Sequence, residues 1–176
     1  MRVIAGSRKG HRIAAPRGRD TRPTSDRVRE NAFNLIGPVD GATVLDLYAG
    51  SGAMGIEALS RGAGRATFVE ADAKTAYVIE ENLEKLRLTG ARVVRDDVVR
   101  ALAAEAAAGR KYDLVLVDPP YDLYAEVQPQ LARYLPHVLG EDALVVVETS
   151  ARTEPELPLT LRTSRKYGSA RLTLFE

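Results

Sequence analysis

The chain has 176 residues, 45% of them hydrophobic, with 25 Lys or Arg against 24 Asp or Glu and no cysteine. That length suits one domain able to bury roughly 70% of its unfolded surface without a disulfide or metal staple. The missing thiol excludes disulfides, Cys-ligated zinc, iron–sulfur clusters and a cysteine nucleophile. The opening MRVIAGSRKGHRI lacks the apolar core of a signal peptide, and no run approaches the ~20 apolar residues of a membrane span, so a cytoplasmic protein without membrane contact is expected.

Charge is unevenly placed along the chain. Residues 1 to 30 hold nine Arg or Lys against three acids, a surplus of six, which leaves the remainder five negative. A basic arm on a mildly acidic body suits a polyanionic partner, although a solvated Arg-rich surface would carry the same charge. Within the arm, Arg2-Val-Ile-Ala and His11-Arg-Ile-Ala read as extended segments around SRKG, a hairpin, and PRGRDTRPTS follows as a polar, proline-broken link. A basic extension over 1–23 and a main domain over 24–176 are therefore expected.

Thr24 or Ser25 caps a helix in which Val28, Ala32, Leu35 and Ile36 recur at helical spacing until Gly37-Pro38. The strand TVLDLYA, the helix MGIEALSR closed by Gly62 and the strand RATFVEAD come next. They are followed by the helix KTAYVIEENLEKLRL, the strand ARVVR, the helix VVRALAAEAAA and the strand YDLVLVD. LYAEVQPQLARYLPHVL is read as helix interrupted at Pro129 and Pro136, and ALVVVETS as a fifth strand. Near-continuous apolar strands alternating with helices imply a parallel sheet covered on both faces. LTLRTSRKY and ARLTLFE flank Gly168-Ser169, so the last two strands are expected to pair antiparallel at one side.

Between the first strand and its helix stands Gly50-Ser51-Gly52-Ala53-Met54-Gly55, a GxGxxG turn in the position where glycines let a ligand approach the backbone and amides face its anionic end. Glu70 ends the second strand, where an acid can accept both ribose hydroxyl hydrogens. Tight helix–sheet packing alone could also ask for the glycines. Asp46, four residues before Gly50, is unwelcome beside a pyrophosphate but suits an ammonium, which favours S-adenosylmethionine over a dinucleotide. Tyr48, Ser51 and Ala71 complete the turn and the strand end. Asp96 and Asp97 close the third strand, where a carboxylate can accept from the adenine amino group or cap the next helix.

The fourth strand stops at Asp118-Pro119-Pro120-Tyr121. Prolines end sheet ladders for purely structural reasons. Here, however, the turn falls at the carboxyl edge, beside the methyl group of a cofactor held over strand one. Asp118 and the Pro119 carbonyl could accept the two hydrogens of an exocyclic amine while Tyr121 stacks on its base. An aryl amine is a poor nucleophile because its lone pair is delocalised, and two acceptors could turn that lone pair toward the methyl carbon without a metal.

DPPY together with LDLYAGSGAMGIEALSRGA, FVEAD and TRPTSDRVRENAFNLI resembles the RsmD family of bacterial 16S rRNA guanine-N2 methyltransferases, from RVIAG to RLTLFE. The resemblance implies an α/β, Rossmann-like class I methyltransferase fold, a seven-stranded mostly parallel sheet with an antiparallel last strand, plus the N-terminal β-hairpin. It places Asp46, Gly50, Gly52 and Gly55 at the methionine moiety, Glu70 at the ribose, Asp97 (with Asp96 as the other possibility) at the adenine, and Asp118 to Tyr121 at the amine, with Asp118 also bordering the cofactor. It implies RNA held by Arg2, Arg8, Lys9, His11, Arg12, Arg17, Arg19 and Arg22. It further implies a guanine of 16S rRNA in an assembling small subunit as substrate, S-adenosylhomocysteine as product, no metal and a monomeric enzyme. Two rival readings share the fold. One is an N6-adenine or protein-glutamine N5 methyltransferase, the latter usually with Asn in place of Asp118; the other is an inactive RNA-binding assembly factor.

Overall fold

The computed structural model describes residues 1–18 and 24–176, so Arg19, Arg22 and the expected boundary after residue 23 lie outside the described residues. Ser25 rather than Thr24 caps the first helix, α1 (Asp26–Ile36), its hydroxyl accepting the Val28 amide at 3.2 Å. The expected alternation follows as β1 (Thr43–Leu47), α2 (Ala53–Ser60), β2 (Arg65–Val69), α3 (Ala73–Lys85), β3 (Ala91–Val94), α4 (Val98–Ala107) and β4 (Tyr112–Val117). The chain ends with α5 (Tyr124–Tyr134), β5 (Leu139–Ser150), β6 (Leu161–Tyr167) and β7 (Ala170–Phe175).

The strands form one sheet in the order β3-β2-β1-β4-β5-β7-β6. Strands β1 to β5 pair in parallel, and β7 runs antiparallel to both β5 and β6. The last strand is thus inserted between β5 and β6, and β6 forms the edge. Alternating side chains divide the core into two layers. Val44, Phe68, Leu116 and Val146 face α1, α2 and α3, whereas Leu45, Val69, Val117 and Val147 face α4 and α5. By the same parity Asp46, Glu70, Asp118 and Glu148 belong to the α1–α3 side as their strands end.

Two elements depart from the expectation. Helix α5 continues through Pro129, because Tyr124, Val127 and Leu131 bury one face at helical spacing and outweigh the single backbone bond that proline removes; Pro136 lies in the 3-10 turn after it. The N-terminal hairpin is only a bridge between Arg2 and Arg12 around a 3-10 turn at Gly6–Arg8. It is fastened along α2 and α3. Val3 and Ile13 enter the α1–α3 core, and the buried Glu57 carboxylate accepts the Ile4 and Ala5 amides at 2.9 and 3.0 Å. Gly6, at φ 83°, lies so close to α2 that a Cβ there would stand 1.8 Å from the Ser60 carbonyl oxygen. Among the described residues, no helix is long and apolar enough to cross a membrane.

Candidate active site

Five strand ends place five acids in a row along the carboxyl edge of the sheet. In spatial order they are Asp97 after β3, Glu70 after β2, Asp46 in β1, Asp118 after β4 and Glu148 in β5, on strands about 4.8 Å apart. The strand order reverses between β1 and β4, the position where open α/β sheets bind ligands. Two open surface depressions, of about 500 Å3 beside Lys111 and Tyr134 and about 550 Å3 beside Leu139 and Arg162, lie toward the opposite edge.

The glycine turn is held from three sides. Asp46, 2% exposed, accepts the Gly55 amide at 2.9 Å. Burial, with a smaller contribution from Glu70, pushes this carboxyl up to about 8, against the opposing effect of the Gly55 hydrogen bond. A cation brought beside it would restore the charged form. Gly55 is required sterically, since a Cβ would meet the Phe68 ring at 2.3 Å and the Asp46 carboxylate at 3.0 Å. Glu70 accepts the Gly50 amide at 3.0 Å through Oε2 and the Asp72 amide at 3.1 Å through Oε1.

Asn82 on α3, which the sequence pattern does not single out, forms the third support. Its amide donates to the Ser51 and Ala14 carbonyls, both at 3.0 Å, tying the N-terminal arm to the glycine turn. Tyr48 bridges β1 and this turn in the left-handed region at φ 59°, a strained conformation for an aromatic residue. Burial pushes its phenol up to about 12, with added repulsion from Asp97 and Glu126. Ala71 is exposed after Glu70.

Asp96 and Asp97 have separate tasks. Asp97 is exposed and caps α4, accepting the Arg100 amide at 3.0 Å. Asp96 pairs with the Arg100 guanidinium, whose Nε donates to it at 2.7 Å, and this partner holds its carboxyl below the usual range.

At the β4 turn, Pro119 is buried and Tyr121 is 41% exposed. Parallel pairing aligns Val117 with Val147, so Asp118 follows β4 directly beside Glu148 in β5. Glu148 is absent from the residues expected at the site, and Thr24 is expected there only as a helix cap. In the fold the Thr24 hydroxyl lies 2.8 Å from Asp118 Oδ2 and 3.1 Å from Glu148 Oε2, and the Tyr121 hydroxyl donates to Glu148 Oε1 at 3.3 Å. Burial pushes both carboxyls up, and Asp118 rises further because of the adjacent Glu148 charge. An acid inside the apolar run VVVETS was the one available signal.

In the N-terminal arm, Arg2, Lys9, His11, Arg12 and Arg17 are exposed. Arg8 is committed to the fold: its Nε donates to the Leu86 carbonyl at 2.5 Å and Nη2 to the Arg87 carbonyl at 3.1 Å.

Known proteins resemble this chain over much or all of its length. Residues 1–176 match the model of the family described as conserved hypothetical protein 95. A Bacillus subtilis protein provisionally named rRNA methyltransferase YlbH is 41% identical over 183 residues, covering 100% of this chain and 98% of its own length. Ribosomal RNA small subunit methyltransferase D of Escherichia coli is 42% identical over 122 residues, 69% of this chain and 60% of the relative. The solved structure of a hypothetical protein from Thermus thermophilus superposes with a TM-score of 0.86 at 31% identity, covering 100% of this chain and 99% of that one.

Proposed function

The chain belongs to the RsmD family, described as conserved hypothetical protein 95, and from that premise we propose that it methylates the exocyclic N2 amine of a guanine in 16S rRNA using S-adenosylmethionine. When bound, S-adenosylmethionine supplies an electrophilic methyl group on a sulfonium. The residues present fit this cofactor. Gly50 leaves its backbone open, with nothing within 4 Å of where a Cβ would stand, the buried Asp46 carboxyl favours a neighbouring ammonium, and Glu70 sets a carboxylate at the end of β2 for a ribose.

The observation that carries the reading is the position of Asp118 and the half-exposed ring of Tyr121 one strand away from the glycine turn. A base extruded from RNA can stack on that ring, and Asp118 with the Pro119 carbonyl can orient its amine. Positioning and charge stabilisation then account for most of the rate. Exposed Arg2, Lys9, His11, Arg12 and Arg17 supply the positive surface for the flanking phosphates.

The decisive experiment incubates the purified chain with methyl-labelled S-adenosylmethionine and small subunits or 16S rRNA from a strain lacking the gene, followed by nucleoside mass spectrometry. Labelled N2-methylguanosine is the expected product. Labelled N6-methyladenosine would replace guanine by adenine as the target, and absence of label in both substrates would overturn the assignment.

A further inference from the structure

One hydroxyl joins two carboxyls at the centre of the site. Thr24 Oγ1 lies within hydrogen-bond distance of both Asp118 Oδ2 and Glu148 Oε2, yet a hydroxyl has only one hydrogen to donate. If both acids were ionised, one carboxylate oxygen would face a hydroxyl lone pair. A single proton on the pair resolves this. Glu148, 9% exposed, also accepts from the Tyr121 hydroxyl, so with Thr24 it has two donors and is the better holder of the charge. Asp118 then donates to Thr24, which donates to Glu148.

Resting on the amine-methyltransferase reading, we propose that Glu148 is a positioning residue and the final proton acceptor of the reaction, reached from Asp118 through the Thr24 hydroxyl. The amine lone pair forms the new N–C bond as the C–S bond of the sulfonium donor breaks and its electron pair stays on sulfur. The nitrogen, now cationic, loses one N–H proton to Asp118 Oδ1. Asp118 passes the proton on Oδ2 to Thr24 Oγ1, and Thr24 passes its own to Glu148 Oε2. Asp118 is a neutral acid before and after, so no carboxylate must be stripped of water in contact with the base. The positive charge on the amine and the negative charge on Glu148 are cancelled together.

Among the described residues, the groups facing this pair are Asp46 from β1, Thr24 ahead of α1 and Tyr121 from the β4 turn, while Leu172 of β7 stands opposite Glu148. The direction of both carboxyl shifts, upward through burial, agrees with one retained proton.

The test compares wild type with Glu148→Gln, Thr24→Val and Thr24→Ser in single-turnover methylation, with cofactor affinity by calorimetry as the check on folding. Glu148→Gln and Thr24→Val are each expected to slow methyl transfer by ~100-fold, with cofactor affinity and KM for RNA unchanged, and Thr24→Ser to return to within ~3-fold of wild type. The double variant should be no slower than either single one. Independently of turnover, carbon-13 NMR of the carboxyls in the ligand-free chain should find one of Asp118 and Glu148 protonated at pH 7. Both ionised at pH 7, Glu148→Gln as fast as wild type, or Thr24→Ser as slow as Thr24→Val would overturn the relay while leaving the methyltransferase assignment intact. A wild-type chain that methylates no amine would overturn the assignment and the relay with it.

Discussion

The buried carboxyl of Asp46 makes stability depend on pH in a direction opposite to that of a salt-bridged acid. Its native-state value of about 8 stands against 3.8 for an ordinary carboxyl, so the folded chain binds this proton more tightly than the unfolded chain does. The stabilisation is complete below pH ~4, is lost as pH rises toward about 8, and the loss then levels off. At about 1.4 kcal/mol per pH unit the full span is on the order of 5 kcal/mol, and with Asp46 2% exposed there is little solvent screening to reduce it. Asp46→Asn keeps an oxygen for the Gly55 amide and cannot ionise. Urea unfolding of the ligand-free wild type and the Asn variant from pH 4 to 9 reads this group together with its coupling to Glu70 and Asp118, all other titrations being common to both. The variant should gain on wild type by several kcal/mol across that range, or roughly 10–20 °C in Tm for a chain of this size. Parallel curves would show that Asp46 is ionised at neutral pH in the fold and would refute the reasoning.

Glu70→Ala should bind S-adenosylmethionine at least ~10-fold more weakly by calorimetry, through the loss of a charged acceptor and of the Gly50 support. Tyr121→Ala should weaken RNA capture by ~1–3 kcal/mol in a filter-binding assay, whereas Tyr121→Phe should retain most binding because the ring supplies the stacking surface. Among the described residues, Glu57→Ala leaves the buried Arg29 with Asp26 as its acidic partner and frees the Ile4 and Ala5 amides; it should cost ~3–5 kcal/mol in thermal or urea unfolding. Replacing exposed Lys9, Arg12 and Arg17 by Ala should flatten the salt dependence of RNA binding by roughly 0.7–0.9 log unit per lost phosphate contact, with cofactor affinity unchanged. Deleting the arm would be a poorer test, since Val3 and Ile13 are core residues.

The features legible in the sequence are those set by local chemistry. A glycine turn after an apolar strand, Pro-Pro at the end of another, and acids where strands stop all follow from backbone freedom, ladder hydrogen bonding and the expense of burying charge, which act within a few residues. From these the parallel sheet, the glycine turn and the Asp118–Tyr121 turn could be placed. Tertiary structure decided what lies across from them. Pro129 does not break α5, because packing of Tyr124, Val127 and Leu131 against the sheet outweighs propensity. Asp97 and Asp96 share out the cap and the Arg100 pair only once the turn is folded. Glu148 joins Asp118 because the β4–β5 register aligns Val117 with Val147, and Thr24 reaches both across separations of 94 and 124 residues. Register and parity between distant strands depend on the whole core, so no short window of sequence contains the carboxyl pair that they bring together.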